Sequence, residues 1–222
     1  ALEPGTRLDP WIAYWLFAAL TPAMVLVLAY AAYREAARDP AAPKPPPPFL
    51  WPLFRMGAAF LAFVVWALAV PGLVDKPVRW SWDEIHALPA SRYEGAIHCV
   101  TTWSKFGMRF DGVSVDTLLD AAGVRDDATF ALARSHTGYT TNFRLEDLTG
   151  GKAWVVWDVN GAPLTDIHGG PARLLVPHLY FWKSAKWVRG LTLTPTDEPG
   201  FWEAYGYHNR GDPWREQGYQ GD

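Results

Sequence analysis

The sequence predicts an α+β domain, mostly β, preceded by one or two transmembrane helices. Three observations carry this. Residues 10–33 hold no charged side chain, and neither do residues 56–74. From Asp75 onward the character changes: short apolar segments alternate with Gly, Pro, Asn and Asp, the pattern of strands and turns with short helices between them.

The first apolar run closes a segment, 1–33, expected to form an N-terminal transmembrane helix. Its 24 uncharged residues, at about 1.5 Å each, cross the ~30 Å hydrocarbon core of a bilayer. Pro22 lies inside it, which membrane helices tolerate. Trp11, Tyr14 and Trp15 stand at one end and Tyr30 and Tyr33 at the other, an aromatic-belt arrangement. A buried helix of a soluble core is the competing reading, but the run exceeds the usual length of globular helices.

Residues 34–55 carry Arg34, Arg38, Lys44 and Arg55 around the run Pro45 to Pro48, a basic linker with a polyproline II spacer. Residues 56–74 are expected as a second transmembrane helix. Pro71 and Gly72 interrupt it near its end, and residues 66–70 alternate enough to be a strand instead. With both runs spanning, the positive-inside rule places the basic linker in the cytoplasm and residues 75–222 on the external or periplasmic side.

Within 75–222 the elements have local signals. Ser81-Trp82-Asp83-Glu84 is a capping box, in which serine and glutamate satisfy each other's backbone N–H groups. The helix it opens stops before Pro89. Residues 93–100 read as a strand that feeds a loop at Cys99. Ser114 caps a helix over 115–122, and Gly123 ends it. Residues 129–134, 153–159, 173–177 and 188–194 read as further strands, with Asn160-Gly161 as a tight turn.

Composition excludes some functions. The formal net charge is −3, and no basic tract clusters; the chain therefore lacks the electrostatic footprint of a nucleic-acid binder. Thirteen Trp imply large apolar interfaces or membrane-interface anchoring. Cys99 is the single cysteine, so it forms no internal disulfide. It is an inert buried residue, a reactive thiol or a metal ligand.

Three segments concentrate the candidate chemistry: His98-Cys99; Ser135 to Asn142, which includes His136 and Tyr139; and His168-Gly169-Gly170-Pro171-Ala172-Arg173 with Ser184-Ala185-Lys186. The two glycines are expected to bring backbone N–H groups close to an anion, while Arg173 and Lys186 supply positive charge. Together they describe a pocket for a phosphorylated ligand beside a soft thiolate. No paired ligand spacing supports zinc. His98 is a poor base for Cys99, because neighbours on a strand point to opposite faces.

From about residue 72 to 222 the chain resembles the sulfite-oxidase-fold molybdopterin oxidoreductases, in particular small bacterial members close to the catalytic subunit of the periplasmic methionine-sulfoxide reductase. The resemblance rests on Gly72-Leu73-Val74, His98-Cys99-Val100-Thr101-Thr102-Trp103-Ser104, Gly112-Val113-Ser114-Val115, His168 through Pro177, Tyr180 through Val188, and Gly206-Tyr207-His208-Asn209. It implies a sulfite-oxidase-like molybdopterin-binding domain with Cys99 as the thiolate ligand of molybdenum. It implies also that His168, Arg173, Ser184 and Lys186 hold the pterin and its phosphate, and that the chemistry is oxygen-atom transfer. Trp103, Tyr139 and His136 are expected to line the cavity, the last two as catalytic candidates.

The chain departs from the family before residue 72. Relatives place a polar, cofactor-wrapping segment there; this chain has apolar runs and a proline linker, with no Asn or His before His86. Two functions follow as expectations. One is an oxidoreductase anchored in the bacterial inner membrane, its C-terminal domain periplasmic, exchanging electrons with an integral-membrane partner. The other is a cofactor-free structural or docking subunit of a larger respiratory or photosynthetic membrane complex.

Overall fold

The computed structural model describes residues 66–222. The expected helix in 1–33, the linker 34–55 and residues 56–65 lie outside the described residues. The strands are β1 (Ala67–Val70), β2 (Val78–Ser81), β3 (Ser91–Cys99), β4 (Trp103–Ser114), β5 (Phe130–Ser135), β6 (Thr140–Arg144), β7 (Trp154–Val159), β8 (Ala162–Pro163), β9 (Arg173–Leu175) and β10 (Val188–Thr194). The α-helices are α1 (Trp82–His86), α2 (Val115–Ala122) and α3 (Phe201–Ala204). The mostly-β, α+β expectation for the domain is met.

Two five-stranded sheets form. The first has the order β2-β1-β10-β5-β6; the second runs β3-β4-β7-β8, with β9 also paired to β7. All pairings are antiparallel except β1 with β10. The main core packs Leu68, Val70, Ala133, Leu191 and Leu193 of the first sheet with Val113, Val155 and Leu174 of the second and Leu118 of α2. The second sheet also buries part of its other face, where Ile97, Phe110, Trp154, Val156 and Leu175 cluster with Leu164. Burial on both faces explains the apolar run Trp154 to Trp157 in β7, which lacks the in–out alternation of a half-wet strand.

The second expected transmembrane helix is corrected over its described part. Residues 67–70 are strand β1, set between β2 and β10, and Leu73 N–H donates to Leu193 O at 3.0 Å. Trp66 Nε1 donates to Val188 O at 3.1 Å. A strand buried on both faces and a membrane helix share the same uncharged composition, so the run is ambiguous by content. The domain therefore begins ahead of Asp75. Among the described residues no helix is long and apolar enough to cross a membrane.

Local signals were reliable. Ser81 and Glu84 close both bonds of the capping box at the start of α1, and Ser114 Oγ accepts from Asp116 N–H at the start of α2. Asn160 and Gly161 take φ of 52° and 82°, the left-handed pair that a two-residue hairpin between β7 and β8 requires.

Candidate functional site

Cys99 ends β3 at the tip of a hairpin. Residues 100–102 make the connection, closed by Thr102 N–H on Cys99 O at 3.1 Å, with Thr102 at φ 67°. Across the pair, Cys99 faces Trp103 and Ile97 faces Lys105. Residues directly opposite, or two apart on one strand, share a face. Ile97, Trp103 and Lys105 line a cavity of about 670 Å³, so Cys99 sits on that face at the cavity's rim. Its thiol is partly exposed, with Sγ 3.1 Å from Thr101 Oγ1. His98 is on the other face, as expected: its Nδ1 bonds Ser104 Oγ at 2.8 Å, and its ring meets Phe106 and Trp214.

The cavity also takes Met108, Phe110, Leu164, His168, Arg173, Phe181 and Lys186 into its lining. Arg173 leads β9, opposite Val156, and is 3% exposed. It donates to His168 O at 2.9 Å and to Ser184 O at 2.7 Å, and its guanidinium lies 4.1 Å from the Phe181 ring centroid. Its Nε is buried without a partner. Among the described residues no carboxylate pairs with it. Burial accordingly pushes its pKa down to about 9. Lys186 Nζ donates to Ile167 O at 2.6 Å; burial first, then repulsion from Arg173, lowers its pKa. Arg173 and Lys186 are thus two neighbouring cations bonded to carbonyls, with no acid paired to either among the described residues.

The Gly-Gly segment works differently from the sequence expectation. Gly169 N–H donates to Asp166 O and Gly170 N–H to Thr165 O, both at 3.0 Å, so neither amide is free for an anion. The glycines serve close packing. A Cβ on Gly170 would lie 2.3 Å from Leu164 O, and one on Gly169, at φ 104°, would meet the Lys186 Cα at 2.9 Å. They seat the Arg173 strand against the Lys186 segment.

Arg173, Phe181 and Lys186 also wall a second cavity of about 260 Å³, with Ser135, Tyr139, Trp182, Ser184 and Trp202. Tyr139 donates to Trp182 O at 2.6 Å, and burial together with nearby Glu203 raises its pKa; its proton is held there. Ser184 Oγ accepts from Val176 N–H at 2.9 Å. Ser135 Oγ donates to Lys186 O. His136 is exposed, donates its backbone N–H to Trp187 O at 2.9 Å, and lines neither cavity. The structure thus gathers Trp103, His168, Arg173 and Lys186 around one cavity, sets Cys99 beside it on the strand face it shares with Ile97 and Trp103 without making it part of the lining, puts Tyr139 and Ser184 in the adjoining cavity, and leaves His136 outside both.

Sequence reasoning missed a buried polar group behind these cavities. Lys183, fully buried, contacts Glu203 Oε1 at 2.6 Å and donates to Asn142 Oδ1 at 2.9 Å and Asn209 O at 2.6 Å. The signal was available: Lys183 is the first charge after the apolar stretch of residues 179–182.

A family model described as "oxidoreductase molybdopterin binding domain" matches residues 61–202. An uncharacterized oxidoreductase of Bacillus subtilis, YuiH, is 43% identical over 157 residues, 71% of this chain and 79% of that protein. The catalytic subunit of protein-methionine-sulfoxide reductase, MsrP, of Gluconobacter oxydans is 26% identical; the match spans 67% of this chain and 54% of the relative, so this chain corresponds to about half of that protein. The sulfane dehydrogenase SoxCD of Paracoccus pantotrophus shares the fold with a TM-score of 0.56 at 23% identity, over 61% of this chain and 39% of that one. With its two sheets, its hairpin cysteine and its buried arginine in the matched region, the chain belongs to the oxidoreductase molybdopterin-binding-domain family, the group with the sulfite-oxidase fold.

Proposed function

We propose that this chain is a membrane-anchored, molybdopterin-dependent oxidoreductase that transfers an oxygen atom to or from a small oxo-substrate and exchanges electrons with an integral-membrane partner. One observation carries the proposal: Arg173 is buried, unpaired with any acid and short of a partner at Nε, in the cavity that the Cys99–Trp103 end of the hairpin borders.

The residues fit the group. Arg173 and Lys186 would hold an anionic phosphate, with His168 at the same wall and Ser184 at the back of Arg173. Cys99 would supply the soft thiolate that suits a thiophilic metal. When bound, the cofactor supplies the two-electron change that oxygen-atom transfer needs. The chain's own residues supply placement. The 4.1 Å stack of Arg173 on Phe181 fixes the guanidinium plane. Trp103 packs edge-on to Phe181 with centroids 6.3 Å apart. The name of MsrP supports an S-oxide as the first substrate class to try.

The charge-free residues 10–33 and the basic linker support an anchor in the bacterial inner membrane with the domain on the periplasmic side. Molybdenum and pterin are to be measured on the full chain from a molybdate-replete host. Stoichiometric molybdenum, lost in Cys99→Ser, is expected. Folded wild-type protein without metal would refute the reading and favour the cofactor-free docking subunit. Release of the chain by alkaline carbonate without detergent would refute the anchor.

A further inference from the structure

We propose that the buried Lys183–Glu203 pair is a positioning device for the Arg173 cavity, acting through the Trp182 indole; this rests on the reading of that cavity as the seat of the cofactor's phosphate. Both side chains are at most 1% exposed. Glu203 Oε1 accepts three times: from Lys183 Nζ at 2.6 Å, from Thr141 Oγ1 at 3.0 Å and from Trp182 Nε1 at 3.1 Å. Trp182 is therefore tied to α3 by its ring nitrogen. Its carbonyl is tied to Tyr139, and its ring stacks on Tyr180 at 5.3 Å and meets Tyr207 edge-on.

Everything Arg173 uses on that side belongs to the same short segment. Phe181 lies under the guanidinium, Ser184 O accepts its Nη2, and Lys186 is the second cation. Residues 181–184 contain one turn of 3-10 helix, Phe181–Lys183, with no side-chain cap. A segment so short has little rigidity of its own. Ser184 ties one end of it to Val176 N–H; its other side-chain ties come from Trp182 and Lys183, whose partners lie on β6, α3 and at Asn209.

Stability alone does not account for the pair. A buried ion pair replaced by well-packed apolar residues is often neutral for folding or better. An apolar pair cannot accept the indole N–H. Glu203 also accepts from the buried Thr141 hydroxyl, but its bond to the indole is the one that reaches the segment behind Arg173.

The test compares full-chain wild type with Lys183→Met/Glu203→Leu, Lys183→Met/Glu203→Gln and Trp182→Phe. Melting temperature, molybdenum and pterin per chain, and the Kd for inorganic phosphate are read for each. The Gln double variant keeps an acceptor for the indole without leaving a lone charge. It is expected to retain phosphate affinity and cofactor, while the Leu double variant loses about tenfold in both at a melting temperature similar to that of the Gln double variant, since both lack the Lys183 bonds to Asn142 and Asn209. Trp182→Phe removes the indole N–H, leaves the ion pair in place and is expected to show the same loss; it decides the matter if a double variant fails to fold. Wild-type affinity in Trp182→Phe or in a folded Leu variant overturns the proposal, as does an equal loss in a folded Gln variant. Wild type that binds phosphate but carries no molybdenum sinks the cofactor reading alone, and the phosphate Kd series still decides the positioning. Wild type that binds neither sinks both.

Discussion

Replacing Arg173 by Met should leave the cofactor-free domain about as stable as it was, while abolishing anion binding. The reasoning starts from the gap between a pKa of about 9 in the fold and the ordinary guanidinium range above about 12. At about 1.4 kcal/mol per tenfold change, burying this charge costs on the order of 4–5 kcal/mol. The sign follows from proton counting. The folded pKa of a cation is depressed, so the cost is complete below about pH 9 and shrinks as pH rises beyond it. Against this, Met removes two hydrogen bonds, to His168 O and Ser184 O, and leaves each carbonyl unsatisfied at about 1–3 kcal/mol. It also removes the stack on Phe181, worth roughly 0.5–2 kcal/mol. The two sides nearly cancel. A melt of cofactor-free protein at pH 7 should therefore place Arg173→Met within about 5 °C of wild type, given 2–4 °C per kcal/mol for a domain of this size. Wild type should gain from added phosphate and the variant should not. A fall of more than about 10 °C, or phosphate stabilisation that survives the substitution, would show that Arg173 is an ordinary satisfied core residue.

Two further outcomes follow from groups away from the cavity. Burial works against the Asp147 carboxylate, but hydrogen bonds from His178 and Arg210 prevail and hold its pKa down to about 2. The stability it contributes is present above the ordinary aspartate value and is lost as pH falls from about 4 through 2; Asp147→Asn should flatten that part of a urea-midpoint profile, and an unchanged slope would count against the assignment. Ser81→Ala opens the capping box of α1 and should lower stability by about 1 kcal/mol, read as a shifted urea midpoint at constant slope.

Much of the domain was legible because its signals are local. Ser81 with Glu84, Ser114 before α2 and Asn160-Gly161 each settle backbone groups within a few residues. Strands β2, β4, β6 and β8 were not read as strands, and for β4 and β6 the physical reason is plain. Strand β4 has a register irregularity, with Gly95 opposite Met108 but Ile97 opposite Lys105, so the alternation of Phe106, Met108 and Phe110 does not continue to Trp103 and Lys105. Strand β6 reads Thr-Thr-Asn-Phe-Arg and looks like a polar loop, yet Thr141 and Asn142 are buried. Their polar atoms are satisfied by Glu203, Lys183 and Asp197, up to 62 residues away. Tertiary partners of that kind leave no trace in a local window. The same limit explains the site. Arg173, Lys186 and Cys99 were identified by chemistry and resemblance, whereas Glu203, which orients the segment behind them, offered no local motif.

The setting of the lone cysteine supports the proposed role. A structural cysteine is usually buried and apolar in its surroundings. Cys99 is instead partly exposed at a strand tip, with a hydroxyl as its neighbour. The face it shares with Ile97 and Trp103 opens on a cavity whose charged groups include three cations, Lys105, Arg173 and Lys186, and no acid. A reactive thiol would need only the cations, which favour thiolate. A buried guanidinium with an unsatisfied Nε asks for more, because nothing in a nucleophile's task relieves it. A ligand that brings an anionic arm to Arg173 and a soft metal to Cys99 uses both features of this cavity at once. That is why the reading stands or falls on molybdenum and phosphate binding together.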